Sequence, residues 1–279
     1  MPYPNVEPHL QQIAEAAKEF IENRFNVKNP KIGKELDPDI HWQPTLHWKN
    51  KTGFIGCEVS GRPFRPIVEI AFGGITSKGL PVTIFIAYPS APAIPLKDFN
   101  EDIEMAKRYG IGLISISDDL KGTIQHRGVS VPLFISPPDF SKFKNSVRPM
   151  IMSAYEDFID GNPTGGVQKL GQLVESAMVH LGTQARKKGT FAKGGFSPSK
   201  YYPQANLIDE MMAERIIDNG ILGRCRGFSD DRGSVSHSPK SLKAAIKVER
   251  LLKDCFVSGL RILEELPEAM TVKGYKFRV

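Results

Sequence analysis

Arg232 and His237 sit in the run Arg-Gly-Ser-Val-Ser-His, followed by Ser238-Pro239-Lys240 and a long segment with helical apolar spacing. A histidine titrates near neutrality and can take the proton from an RNA 2′-hydroxyl. An arginine is always charged and can hold the scissile phosphate while its charge grows. Together they point to ribonucleolytic chemistry that needs no metal. The competing reading is structural: His237 caps the helix that follows, and Arg232 pairs with Asp230, Asp231 or Glu249.

A second group lies upstream. Between Glu175 and Asp209 there is no Asp or Glu, while Arg186, Lys187, Lys188, Lys193 and Lys200 stand among Phe191, Phe196, Tyr201 and Tyr202. Cations neutralise phosphates and aromatic rings stack on bases, so Arg186, Lys187, Lys188, Lys193, Lys200, Tyr201 and Tyr202 are candidate nucleic-acid contacts. Gly189, Gly194 and Gly195 suggest a loop that orders on binding. The alternative is a solvated loop whose rings tuck back onto the protein.

A third group is acidic. Glu58 lies in Gly56-Cys57-Glu58-Val59-Ser60, and Asp37 and Asp39 lie upstream, with Glu69 as a further carboxylate on an expected neighbouring strand. Paired carboxylates there, Glu58 with Asp39, would hold magnesium and activate a water. No Walker loop, GxGxxG after a strand, GxSxG or His-Glu-x-x-His is present.

The elements that must position these groups follow from apolar periodicity. Val6, Leu10, Ile13, Ala17, Phe20, Ile21 and Phe25 mark an amphipathic helix. Residues 29–44 read as loop. Strands are expected at 45–48 and 53–59 around a Lys49-Asn50-Lys51-Thr52 turn, at 67–72, at 82–88 and at 112–117, with a further candidate at 129–135. A helix over 96–109 ends at Gly110, and another covers 147–159. A breaker cluster at 161–166 precedes three helical patterns, anchored on Leu170–Leu181, Leu207–Ile216 and Leu242–Leu266. The expected fold class is α+β: a mixed-sheet α/β part over residues 1–145 followed by an all-helical bundle over 146–279.

The chain has 279 residues, 41% of them hydrophobic, and a net charge of +6. That mild basicity permits a nucleic-acid partner without requiring one. No apolar run is long enough to span a membrane, and no signal-peptide h-region is seen near the start, so no membrane partner is expected. Cys57, Cys225 and Cys255 are few and far apart, which fits a reducing cytoplasm better than a disulfide framework.

Residues 166–266 resemble the HEPN superfamily of helical domains, on the strength of Arg232 and His237. Gly233 stands where a polar residue commonly follows the arginine. The resemblance implies a homodimer in which two such motifs form one composite RNA-cleaving site, with no cofactor. Residues 5–136 resemble the PD-(D/E)xK, or restriction-endonuclease-like, fold in their order of helix, hairpin, strand, helix and strand. That resemblance implies a magnesium site at Glu58. Ser60 occupies the lysine position, however, and Pro44-Thr45 replaces Pro-Asp, so an inactive nuclease-like domain is favoured. The leading expectation is a nucleic-acid-binding protein of prokaryotic defence type that acts as a metal-independent ribonuclease, with other defence proteins as further partners. The alternatives are a non-catalytic scaffold that binds nucleic acid or protein and dimerises through its helices, and a magnesium-dependent DNase centred on Glu58.

Overall fold

The computed structural model describes residues 2–91, 93–191, 195–198, 200–235 and 238–279. It has the expected α+β character, a six-stranded mixed sheet followed by a helical part. The chain divides into two compact units. An α/β unit takes Met1–Pro137, Ile159–Asn162 and Ser238–Arg250, and a helical unit takes Pro138–Phe158, Pro163–His237 and Leu251–Val279.

The α/β unit begins with α1 (Gln11–Phe25), which buries Ile13, Ala14, Ala17 and Ile21 and stops at Asn26 in the left-handed conformation. Next come β1 (Lys31–Ile32), β2 (Leu46–Lys49) and β3 (Phe54–Val59). The β2–β3 turn is fixed by Asn50, whose side-chain oxygen accepts from the backbone N–H groups of Thr52 and Gly53, both at 2.8 Å. Then α2 (Ile67–Lys78), β4 (Val82–Pro89), α3 (Leu96–Arg108), β5 (Gly112–Ile116) and β6 (Gly122–His126) complete the sheet. Its order is β1-β2-β3-β4-β5-β6, with β3, β4 and β5 parallel and the outer pairs antiparallel. The parallel pairs need crossovers, which α2 and α3 supply.

Strand alternation sends Ile55, Cys57 and Val59 to one face, where α1 covers them. Trp42, Val68, Ala71, Ile75, Ile84 and Ala106 fill the opposite face. Residues 67–72, expected as a strand, form the first half of α2 instead. The β-branched content of that run suggested a strand, but Val68, Ala71 and Ile75 are buried at helical spacing. Glu69 therefore sits on a helix, where Tyr109 donates to it at 3.1 Å. Residues 129–135 contribute only a 3-10 turn at Val131–Leu133 and an isolated bridge between Thr83 and Ser130. Pro132 lacks the N–H that a continuing ladder would use.

Two distant segments return to this unit. The segment 159–162 is held at Asp160, whose Oδ1 accepts from the Arg127 N–H at 2.8 Å. The segment 238–250 is held by Glu249, on the first turns of α8 (Leu242–Val272), whose carboxyl accepts from Ser130 Oγ at 2.9 Å. Burial pushes the Glu249 carboxyl up to about 7. Its folded value thus exceeds its unfolded value. Stability is full below the ordinary carboxylate range and falls as pH rises through about 7. Glu249→Gln is expected to remove this slope and to stabilise the chain by roughly 2 kcal/mol above neutrality. Urea melts across that range check it, and parallel wild-type and variant profiles would refute it.

The helical unit contains α4 (Arg148–Ile159), α5 (Pro163–Lys187), α6 (Gln204–Ala213), α7 (Asn219–Ser234) and most of α8. The 161–166 cluster does not separate elements by a long break. Pro163 opens α5, and a Cβ on Gly166 would lie 2.6 Å from the Ala154 carbonyl oxygen, so the glycine permits a close crossing of α4 and α5. Helix α7 was not anticipated, because its sequence is rich in glycine and polar residues. Asp218 caps it, accepting from Gly220 and Ile221 at 2.9 and 3.1 Å, and Ile221, Leu222, Cys225 and Phe228 bury one stripe. Phe158 and Phe256 rings meet at 4.2 Å. No helix among the described residues is long and apolar enough to cross a membrane.

Candidate functional site

Arg232 lies in the last turn of α7. Its Nη2 donates to Glu175 Oε2 of α5 at 3.5 Å and to Gln204 Oε1 of α6 at 3.4 Å. The guanidinium stem crosses Gly171, where a Cβ would come within 2.5 Å of Arg232 Cδ. Gly171 thus opens the space this arginine occupies. The side chain is 25% exposed. The partners are therefore Glu175 and Gln204 rather than the acids nearer in sequence. The arginine is held in one place by three helices with part of its face open to solvent. His237 lies outside the described residues, as does Lys193.

The acid-free stretch divides. Arg186 donates from Nη2 to the Phe196 carbonyl at 3.0 Å and lies 4.8 Å over the Phe191 ring. Phe191 and Phe196 are buried. Tyr202 donates its hydroxyl to Glu210 Oε1 at 2.5 Å, which leaves that ring engaged within the unit. Lys188 donates to the Gly274 carbonyl at 2.5 Å and sits 4.6 Å over Tyr275. Lys187, Lys200 and Tyr201 are exposed, Tyr201 by 88%. Packing thus takes Arg186 and Tyr202, while Lys187, Lys200 and Tyr201 face solvent.

Glu58 sits near the C-terminal end of β3, on the sheet face shared with Trp42. Trp42 Nε1–H donates to Glu58 Oε1 at 2.7 Å, and Thr45 Oγ1–H donates to Oε2 at 3.3 Å. Burial pushes its carboxyl up, and Trp42, Arg65 and Thr45 only partly offset this. Asp39 is exposed and forms an ion pair with Lys78, which also binds Asp37 at 2.8 Å. Among the described residues no three His, Cys, Asp or Glu side chains gather as a metal site requires. The donor set does not fit a magnesium ion. One carboxyl is biased toward its neutral form, the other is engaged by a lysine, and a hard divalent cation needs several charged or carbonyl oxygens together.

One feature of this end of the sheet carried no sequence signal. Just past β3, Ser60, Arg62, Phe64 and Arg65 line a cleft of about 460 Å³ with Asn5 and Ile94. Arg62 is fixed by a bidentate pair with buried Asp102, both contacts at 2.6 Å. That pair joins residues 40 positions apart, and no local pattern announces it.

No protein family, curated protein or solved structure matches the chain.

Proposed function

We propose that this chain is a nucleic-acid-binding protein of prokaryotic defence type whose helical unit cuts RNA without metal, through Arg232 and His237 paired across a homodimer. What supports this reading is the placement of Arg232. Contacts to Glu175 and Gln204 and the space over Gly171 hold it in position at the end of α7, five residues before His237. A positioned cation is one of the two groups that 2′-hydroxyl attack needs, a proton acceptor being the other. His237 takes the 2′-hydroxyl proton, O2′ bonds to phosphorus, and the P–O5′ bond breaks. The leaving oxygen takes a proton from a protonated histidine of the pair. The products are a 2′,3′-cyclic phosphate and a 5′-hydroxyl end. Arg232 stabilises the charge that builds on the phosphate oxygens.

The second reading is a non-catalytic scaffold that binds nucleic acid or protein. The Glu175 partner favours it, because a carboxylate beside Arg232 partly neutralises the charge a phosphate would meet. Cleavage of labelled RNA in EDTA separates the two readings, and light scattering tests the dimer. A strict monomer that still cuts RNA would remove the composite site while leaving the chemistry. The magnesium-dependent reading has less support, since Glu58 and Asp39 have separate protein partners.

A further inference from the structure

The segment after α8 joins the end of α5 to form a basic surface that neither piece shows alone. Residues 269–279 contain Lys273, Lys276 and Arg278 and no acid. They pack against the C-terminal end of α5, which belongs to the acid-free stretch 176–208. Gln184 on α5 holds the backbone of Lys276 from both sides: its Nε2 donates to the Lys276 carbonyl at 2.7 Å, and the Lys276 N–H donates to its Oε1 at 2.8 Å. Thr190 Oγ1 and the Tyr275 hydroxyl are 2.7 Å apart, and Tyr275 is buried. The Lys188 bond to Gly274 and its position over Tyr275 complete the attachment. Gly274 is left-handed at φ 74°, which turns the chain back onto α5.

Lys187, Lys188, Lys273, Lys276 and Arg278 are all exposed. Among the described residues, none of Lys187, Lys273, Lys276 and Arg278 forms an ion pair. The charge is more than the helix end requires. One or two cations complement the carbonyl end of a helix, and α5 already has Arg186 and Lys187 in its last turn. Three more on a segment anchored by its backbone leave the side chains free to meet an external anion. Several exposed cations on an anchored backbone suit a repeating phosphate chain, because each contact releases a counterion without demanding one geometry.

We propose that Lys187, Lys273, Lys276 and Arg278 form a sequence-independent surface for the phosphate backbone of single-stranded nucleic acid. This rests on the nucleic-acid reading above but not on cleavage. The test uses full-length protein and a labelled 2′-O-methyl oligouridine, which has no 2′-hydroxyl to attack, with affinity measured over a salt series. The variant Lys273→Ala/Lys276→Ala/Arg278→Ala should bind on the order of tenfold or more weakly at low salt. Its log–log salt slope should be shallower by about 2, from ~0.7 per lost single-strand contact. A control, Lys28→Ala/Lys51→Ala/Lys97→Ala, removes the same charge from exposed sites on the α/β unit and should leave the slope unchanged. Matching thermal melts show that the variants fold. If wild type binds and the segment variant binds with the same affinity and slope, this surface is wrong and the nucleic-acid reading survives. If wild type does not bind the oligonucleotide, both are wrong. If instead the variant loses only its binding to phosphatidylglycerol-containing vesicles, the surface meets a membrane and the proposal is overturned.

Discussion

Purified protein incubated with labelled RNA in EDTA is expected to cut it, to spare DNA, and to leave cyclic phosphate and 5′-hydroxyl ends. His237→Ala should lower the rate by about 100-fold or more, the scale of general acid–base catalysis. Arg232→Ala should cause a comparable loss. Arg232→Lys should restore little, since a compact ammonium cannot present to a phosphate the planar set of donors that a guanidinium offers. Glu58→Gln should cut normally, because Glu58 lies in the α/β unit with its oxygens engaged by Trp42 and Thr45. Arg232→Ala also removes the contact to Glu175, so its effect on folding must be measured separately. The pair is partly exposed, and a stability loss of about 1 kcal/mol is expected. Too small to unfold the unit, it leaves a rate loss attributable to chemistry. Magnesium-dependent cutting that survives His237→Ala would overturn the assignment and revive Glu58. Binding without cutting, in the presence of cell extract as well as with pure protein, would establish the scaffold.

Legibility in the sequence followed the strength of periodicity. The run 82–88, dense in β-branched and aromatic residues, is β4. Of the expected first stripe, Ile13, Ala17 and Ile21 are buried on α1, Val6 and Leu10 are buried ahead of it, Phe20 is half-buried and Phe25 is exposed at the helix end. The Asn50 turn was readable because its chemistry is local. The failures share a cause. Residues 67–72 have a strand's composition but a helix's partners, and only the packing of Val68, Ala71 and Ile75 under the sheet decides between them. Helix α7 is poor in apolar residues and is secured by its Asp218 cap and its neighbours. The return of 238–250 to the α/β unit depends on Ser130 meeting Glu249, 119 positions away. In the candidate sites the residue types were visible and their partners were not. Arg186 and Lys188 look alike as charges in the sequence, yet one packs on Phe191 and the other anchors the segment after α8. That Arg232 pairs with Glu175 rather than with a nearer acid depends on Gly171 making room on α5.

The α/β unit should depend heavily on Trp42, and replacing it should produce the largest stability loss of any substitution considered. Its ring lies on Gly56 of β3, where a Cβ would come within 2.4 Å of Trp42 Cη2, and it is 1% exposed. Trp42→Ala leaves a ring-sized cavity and a carboxyl without its donor, and is expected to lower stability by about 3–5 kcal/mol. Gly56→Ala forces the same ring away from the opposite side and should cost roughly 1–3 kcal/mol. Trp42→Phe separates the two contributions: it keeps most of the ring volume but removes the N–H that reaches Glu58 at 2.7 Å. Its cost, about 1–3 kcal/mol, is that of a buried acceptor left short of a donor. The pH dependence supplies the decisive sign. Burial already raises the Glu58 carboxyl, and the Trp42 N–H is the largest influence opposing it. Without that donor the folded value rises further. The stability lost as pH increases through it should therefore be greater in Trp42→Phe than in wild type. Denaturant melts from about pH 5 to about pH 8 should show the two curves diverging toward the alkaline side. In a Glu58→Gln background, Trp42→Phe should lose that divergence, because the amide does not ionise. Parallel curves in the Glu58 background would mean that the indole N–H does not control the carboxyl, leaving Trp42 as packing alone.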